Sequence, residues 1–334
     1  MKRKEFLKKF LKEEIIEFPH QTSVNPSVSV CVQTYRHENY IKQCLDGILE
    51  QKTNFEFEIL LGEDDSPDNT RQICIEYANN HPEKIRLFLH NRANIIKISG
   101  TSTGRFNFLY NLFSARGKYI ALCEGDDYWT DPYKLQKQVD FLEVNPDFSI
   151  CFNKVKVLKD GQLVDDFITK VPAEISTIND LAEGNYIYPL STVFRKIIPE
   201  SFPQWFSKCG VGDYPLFMLL AQHGKIKQID EYMGVYRLND TGIWYSKGWN
   251  YRHREWHKML VYLASEMDGE IREKLQEKIF YFYSFLENEF EKSLLKLEEM
   301  ESNYSALKNS YDIKIGKIIL KIPRVVKNTL LNKR

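Results

Sequence analysis

Residues 118–135 read KYIALCEGDDYWTDPYKL. Tyr119, Ile120, Ala121, Leu122 and Cys123 make an unbroken apolar run, the pattern of a short buried strand. Glu124, Asp126 and Asp127 follow at once, and like charges this close repel unless something cationic sits among them. The stretch therefore predicts a strand whose carboxyl end opens on a polar site. A solvated acidic loop between strand and helix is the competing reading of the same residues. Asp131–Pro132 then reads as an N-cap and a first-turn proline, opening a helix with Leu135, Val139 and Leu142 inward.

Upstream, the same alternation recurs. SVSVCVQTY (Ser27–Tyr35), FEFEILLGED (Phe55–Asp64) and KIRLFLH (Lys84–His90) read as strands. Between them, Ile41, Cys44, Leu45, Ile48 and Leu49 share one helical face, and a second helix carries Ile73, Cys74 and Tyr77. A third helix lies around Phe106–Ser114. Strands return about every thirty residues, the size of a βαβ unit. The pattern predicts an α/β fold with a doubly wound, mostly parallel sheet, in which ligands gather at the carboxyl ends of strands. Those ends are the polar stretches Thr34–Tyr35–Arg36–His37, Gly62–Thr70 (GEDDSPDNT) and CEGDD, so three charged clusters converge on one edge.

Beyond Asn145–Pro146 the pattern turns mixed. Residues 148–167 predict a hairpin turning at Asp160–Gly161, STINDLAEG a short helix, NYIYPLSTVFRK a strand, and GVGDYPLFMLLAQHG a helix closed by Gly224. After about Tyr245 the chain is helical. Leu286, Phe290, Leu294, Leu297, Met300, Tyr304, Leu307 and Tyr311 recur by threes and fours, which suits intramolecular packing or a homodimer seam. The tail combines Ile, Leu and Val with Lys314, Lys317, Lys321, Arg324, Lys327, Lys333 and Arg334, against a single acid, Asp312. It reads as a basic amphipathic helix for an anionic membrane surface, or as a solvated terminal helix.

The bulk numbers set limits. Lys+Arg 46 against Asp+Glu 46 leaves no net charge, which argues against a nucleic-acid partner. The six cysteines (Cys31, Cys44, Cys74, Cys123, Cys151, Cys209) lack any C-x-x-C spacing and lie mostly in apolar runs, as buried thiols in a reducing compartment do. No apolar run approaches a membrane span, and the basic N-terminus lacks the apolar core of a signal peptide. The expectation is a cytoplasmic protein, with peripheral contact at the inner face of the plasma membrane through the tail.

Three acids around Asp126 suit a hard cation such as Mn2+ or Mg2+, which takes oxygen ligands and keeps positions open for phosphate oxygens. With that cluster in view, the chain resembles the inverting glycosyltransferases of the GT-A fold, family 2, of the bacterial surface-polysaccharide type. The resemblance spans roughly Ser27 to Trp244, and its motifs keep the family's order. SVCVQTYRHENYIKQCLDGILEQ resembles the opening strand and helix. EILLGEDDSPDNT resembles the nucleotide-binding turn DDGSTDNT. ARGKYIALCEGDDYWTDPYKLQKQVDFL resembles the metal-binding strand, GDYPLF the segment supplying the catalytic base, and GVYRL the strand after it.

The resemblance implies a Rossmann-like GT-A domain with a smaller mixed sheet and a C-terminal helical extension. Residues 1–26 would be a basic helical extension and 27–245 the catalytic domain. Within it, 27–127 would bind nucleotide-sugar and 128–245 the acceptor, while 246–334 would be helical. It implies transfer from a nucleotide-sugar, of UDP type, to a glycan or lipid-linked acceptor in cell-surface polysaccharide synthesis. Thr34 and Tyr35 would lie against the nucleoside, with Asp64 or Glu63 accepting from base or ribose. Glu124–Gly125–Asp126 stands where the family has D-x-D, with Glu in place of the first Asp. The metal would fall to Asp126, Asp127 or both, and Arg105 and Asn107, in the loop before the third helix, would either reach the diphosphate or lie at the surface. Asp213 would be the general base, with helix capping as the bland alternative. Ser191, Thr192 and Trp244 would line the acceptor side. After Tyr236–Arg237 many relatives carry a histidine where this chain has Asn239. A sugar-nucleotide pyrophosphorylase would need a glycine-rich loop after strand one, and QTYRHENY has none; an inactive nucleotide-sugar-binding or scaffold protein of the same fold is the non-enzymatic alternative.

Overall fold

The computed structural model describes residues 1–197, 201–238 and 247–309. Asn239, Trp244, Tyr311 and the basic tail lie outside the described residues. The chain divides into two compact units, Met1–Glu277 and Lys278–Arg334.

The first unit opens with helix α1 (Arg3–Phe10) and a two-residue strand β1 (Ile16–Glu17). Then come β2 (Val28–Thr34), α2 (Ile41–Leu49), β3 (Phe57–Glu63), α3 (Thr70–Asn80) and β4 (Ile85–Leu89). A small hairpin, β5 (Ile96–Ile98) and β6 (Thr101–Thr103), leads into α4 (Arg105–Ser114) and β7 (Tyr119–Leu122). β2, β3, β4 and β7 pair in parallel in the order β4-β3-β2-β7. Every residue of β3 and β7 is buried, which is why those strands read as continuous apolar runs. Val28, Val30 and Val32 share one core cluster with Ile41, Cys44, Leu45 and Ile48 of α2 and with Ile73 and Cys74 of α3. α4 is tied to the sheet by amides: Asn107 donates to Gly62 O at 2.7 Å, and Asn111 to Val32 O and Leu60 O.

The second half continues the same sheet. After β8 (Tyr128–Trp129) come α5 (Lys134–Val144), β9 (Phe148–Lys159), β10 (Gln162–Asp165), β11 (Ile175–Ser176), α6 (Ile178–Ala182) and β12 (Val193–Arg195). α7 (Asp213–Ala221), β13 (Lys225–Arg237), α8 (Trp249–Glu266) and α9 (Gly269–Asn309) complete the described elements. The mixed part is hydrogen-bonded to the parallel part through β12, which pairs antiparallel with both β7 and β9. β9 therefore runs in the direction of β7, and β13 pairs parallel with β9. The carboxyl ends of β2, β3, β7 and β13 thus meet at one edge. The hairpin turn is where expected, with Asp160 and Gly161 both at positive φ, the backbone a two-residue hairpin needs.

Three details differ from the sequence expectation. α5 begins at Lys134, because Asp131 spends Oδ1 on the Tyr133 amide (2.7 Å) and so closes a turn ahead of the helix. Residues before position 27 belong to the same compact unit: Phe6 is fully buried against Phe106 and Phe113, and β1 pairs with β4. Residues 247–277 belong to it too. All six cysteines are free and buried. Among the described residues no helix is long and apolar enough to cross a membrane.

Candidate active site

At the end of β2, Thr34 is buried and its hydroxyl has no partner. Tyr35, half-buried, carries the Arg92 guanidinium 4.1 Å from its ring centroid. Arg92 Nη1 also donates to Asp64 Oδ2 at 3.0 Å. Asp64 is buried at the end of β3, and burial, with Glu63 and Asp65 adding repulsion, pushes its carboxyl up to about 6 against the pull of Arg92. Tyr35, Asp64 and Arg92 therefore make one polar contact cluster at the strand ends.

Glu63 faces inward instead. Its carboxylate accepts from the Ser66 amide (2.7 Å), the Asp65 amide and Arg71 Nε, which holds the turn and leaves Asp65 at φ 58°. The carboxylate that meets Arg92 is Asp64.

The β7 end enters the same space. Gly125 donates its amide to Gln33 O. A Cβ on Gly125 would sit 2.8 Å from Thr34 Oγ1 and 2.9 Å from His37 Nδ1, so glycine lets the two strand ends close on each other. The two aspartates then part company. Asp127 is 2% exposed, and its Oδ1 accepts the Arg237 amide at 2.7 Å. Asp126 keeps its carboxylate partly open, with His37 Nε2 at 3.9 Å. Arg237 itself donates to Asp126 O and Gln43 Oε1 and lies over Tyr40, so it staples β13 and α2 to the acidic turn. Burial, then Asp126 and Asp213, push the Glu124 carboxyl up to about 8. Burial, then Asp126 and Glu124, raise Asp127 well above the carboxylate range, with the Arg237 amide pulling back.

Asp213 comes to this cluster from the other half. It is the first residue of α7, with Gly212 at the N-cap, so it is not itself the cap. Asn185 Nδ2 lies 3.4 Å from its Oδ2. Burial raises its pKa, while the amides at the start of α7, Arg105 and Asn185 hold it down. Arg105 is buried and directed to this loop, donating to Cys209 O at 2.9 Å. Asn107 is spent on Gly62. Ser191 and Thr192 are fully buried, their hydroxyls bonded to Tyr188 O and Pro189 O. Thr34, Tyr35, Asp64, Glu124, Gly125, Asp126 and Asp213 are thus brought together, while Glu63, Asp127, Ser191 and Thr192 point into the protein.

Arg92 and Asn185 stand at the candidate site without having been singled out in the sequence, whereas His37 belongs to the polar strand end Thr34–His37. Arg92 lies just beyond β4, whose carboxyl end borders the same edge, so the strand-end rule itself was the available signal. For Asn185 no local signal exists, because its role depends on a helix that follows it by 28 residues.

The donor set fits a divalent cation shared with a ligand. Among the described residues no three His, Cys, Asp or Glu side chains form a metal cage. Asp126 offers a part-exposed carboxylate beside Glu124, oxygen donors of the kind that Mg2+ and Mn2+ take.

Residues 29–166 match the model of Glycosyl transferase family 2. Rv1520 of Mycobacterium tuberculosis is 34% identical over 247 residues, 72% of this chain and 68% of that protein. The Escherichia coli UDP-Glc:alpha-D-GlcNAc-diphosphoundecaprenol beta-1,3-glucosyltransferase WfgD is 25% identical over 78% of this chain and 92% of its own. Among solved structures, the mannosyltransferase PcManGT of Pyrobaculum calidifontis, in complex with GDP-Man and Mn2+, superposes with TM-score 0.52 at 17% identity, covering 98% of this chain and 93% of that one. The chain is therefore a glycosyltransferase, and it belongs to glycosyl transferase family 2.

Proposed function

We propose that the chain catalyses an inverting, metal-dependent transfer from a UDP-sugar to a glycan or lipid-linked acceptor in cell-surface polysaccharide synthesis. The observation that carries this reading is the meeting, at one sheet edge of a family 2 glycosyltransferase, of the Tyr35–Arg92–Asp64 contacts with the acidic turn after β7, which Gly125 lets close on Thr34 and His37.

Tyr35 supplies a stacking face for the base, and Asp64 and Arg92 supply an acceptor and a donor for its edge, which suits the N3–H and carbonyls of uracil. Glu124 receives ribose hydroxyls. Asp126 holds Mn2+ or Mg2+; when bound, the ion neutralises charge on the departing diphosphate. Asp127 braces the turn. Asp213 takes the acceptor hydroxyl's proton as the new C1–O bond forms on the face opposite the breaking C1–O–phosphate bond, and UDP leaves. WfgD's UDP-Glc donor and diphosphoundecaprenol-linked acceptor, and the Mn2+ of PcManGT, support the donor, acceptor and ion classes. The basic tail would hold the enzyme at the inner face of the plasma membrane, where such acceptors are.

The test is Asp213→Asn, assayed with UDP-Glc, UDP-GlcNAc and UDP-Gal against undecaprenyl-diphosphate-linked GlcNAc. The expected result is a loss of about 10²–10⁴-fold in transfer, with the Mn2+-dependent thermal shift by UDP unchanged. Near-normal turnover in the variant would remove Asp213 as the base.

A further inference from the structure

We propose that Arg105 is a positioning residue for Asp213: its buried guanidinium is built into the wall of the Cys209–Gly212 loop and fixes where the α7 aspartate stands. The inference rests on the reading of Asp213 as general base.

Four observations carry it. Arg105 is 6% exposed although it opens α4, so its charge is turned inward. Nη2 donates to Cys209 O, the start of the loop. A Cβ on Gly212 would fall 2.1 Å from Arg105 Nη1, and the three nearest atoms it would meet all belong to that guanidinium. Arg105 thus fills the space that a side chain at 212 would claim, and Gly212 is the residue directly before Asp213. Finally, the guanidinium lies over the Phe206 and Phe108 rings (5.4 and 5.6 Å), which fix its plane.

The other side of the loop is built the same way. A Cβ on Gly210 would meet Glu255 Cβ and Oε2 at 2.9 Å. Glu255 of α8 is fully buried and anchored by Ser99 Oγ at 2.6 Å. The loop Cys209–Gly212 is thus held between a buried cation and a buried carboxylate, each occupying a place that a side chain on the loop would claim. This loop sets the position of a proton acceptor, and misplacement by about 1 Å costs on the order of 10²-fold in rate.

Charge adds to position. Among the described residues the titratable groups that face Asp213 are Arg105 from α4, Glu124 from the β7 end and Cys209 from its own loop. Arg105 is the cation of that set and holds the Asp213 carboxyl down against burial. A base must be ionised to act, so removing the cation moves the acid limb of the rate profile to higher pH.

The experiment compares wild type, Arg105→Lys and Arg105→Met in the full chain with the donor–acceptor pair the wild type turns over. Expected for Arg105→Met are a kcat lower by about 10-fold or more, an acid limb displaced to higher pH, and UDP binding with Mn2+ within about twofold of wild type. Arg105→Lys should recover part of both kinetic effects. Should Arg105→Met not fold, Gly212→Ala displaces the guanidinium without removing it, and the same fall in kcat with UDP binding retained is expected. Wild-type kcat and acid limb in a folded Arg105→Met, or in Gly212→Ala, would overturn the proposal. So would a loss of UDP affinity as large as the loss of kcat, since Arg105 would then be a diphosphate contact. An active Asp213→Asn overturns the base assignment instead; an inactive Asp213→Asn beside an unaffected Arg105→Met overturns only the role of Arg105.

Discussion

Glu124 concentrates the tension of the site in one side chain. A carboxyl raised to about 8 in the fold but ordinary in the unfolded chain binds its proton more tightly when folded. Stability then falls as pH rises from the ordinary carboxylate range toward 8, because over that window the unfolded state holds fewer protons. Glu124→Gln removes the charge and keeps the shape. It should stabilise the ligand-free chain at pH 8 by on the order of 1–2 kcal/mol, after allowance for partial exposure, and flatten the dependence of Tm on pH. Donor affinity should drop in the same variant. A melting curve at pH 6 and pH 8 decides it: an unchanged slope would mean that Glu124 is not the group under strain. At this scale the sequence was half legible. Strand ends pointed to Tyr35, Asp64 and Asp126, and the family resemblance of GDYPLF to Asp213, but neither said which way each side chain turns. Glu63 and Asp64 are neighbours in the chain, yet one holds the turn through three hydrogen bonds and the other meets Arg92. Arg105 looked like a diphosphate ligand because it lies at the start of a helix, and its burial against Cys209 O and the Phe206 ring is set by the segment before α7, far along the chain.

Elements position the site through close approaches that small residues allow. Gly125 is the clearest, since it lets the β7 turn lie on the end of β2 and on His37. Gly125→Ala should leave the core intact, because the atoms it meets first are the Thr34 hydroxyl and the His37 imidazole. It should weaken Mn2+-dependent UDP binding by about 10-fold, about 1.4 kcal/mol, as isothermal titration would read; undiminished binding would show that the strand ends need not touch. α1 acts at longer range. Phe6 is fully buried between α1 and α4, its ring 5.0 Å from that of Phe106, so the helix that carries Arg105 leans on the first helix of the chain. Phe6→Ala should cost about 3–5 kcal/mol, seen as a large drop in Tm. α1 was legible as a basic helix, but nothing local said that Phe6 docks, since a single aromatic on a charged helix reads equally as a surface residue. The start of α5 was misjudged for a local reason of the opposite kind. Asp131–Pro132 has the right letters for a cap, yet the aspartate closes a turn and pairs with Lys137 at 2.7 Å before the helix begins.

At the scale of the whole molecule, the parallel half of the sheet follows from the recurrence of strand and helix. The mixed half does not, because β9 and β13 pair across α6, β12 and α7, and β13 changes register twice between Ile229 and Gly234. Local pattern gives each strand but not its partner. The proposed lipid-linked acceptor requires that a chain without net charge reach a membrane surface. Its charge is unevenly spread: beyond Tyr311 the sequence carries Lys314, Lys317, Lys321, Arg324, Lys327, Lys333 and Arg334 against Asp312, among Ile, Leu and Val. Near an anionic leaflet each such cation contributes about 1 kcal/mol, and the attraction decays within a Debye length of about 8–10 Å. Apolar side chains between the cations add burial that salt does not screen. The full chain should therefore co-sediment with vesicles containing phosphatidylglycerol, lose most of that binding as salt is raised toward 0.5 M (roughly halving the Debye length), and leave purely zwitterionic vesicles alone. A chain ending at Asn309 should stay in the supernatant while retaining UDP binding, because the contact cluster of Tyr35, Asp64 and Arg92 lies wholly within the first compact unit. Equal binding to zwitterionic vesicles, or sedimentation of the shortened chain, would mean that the cations of the tail do not make the contact.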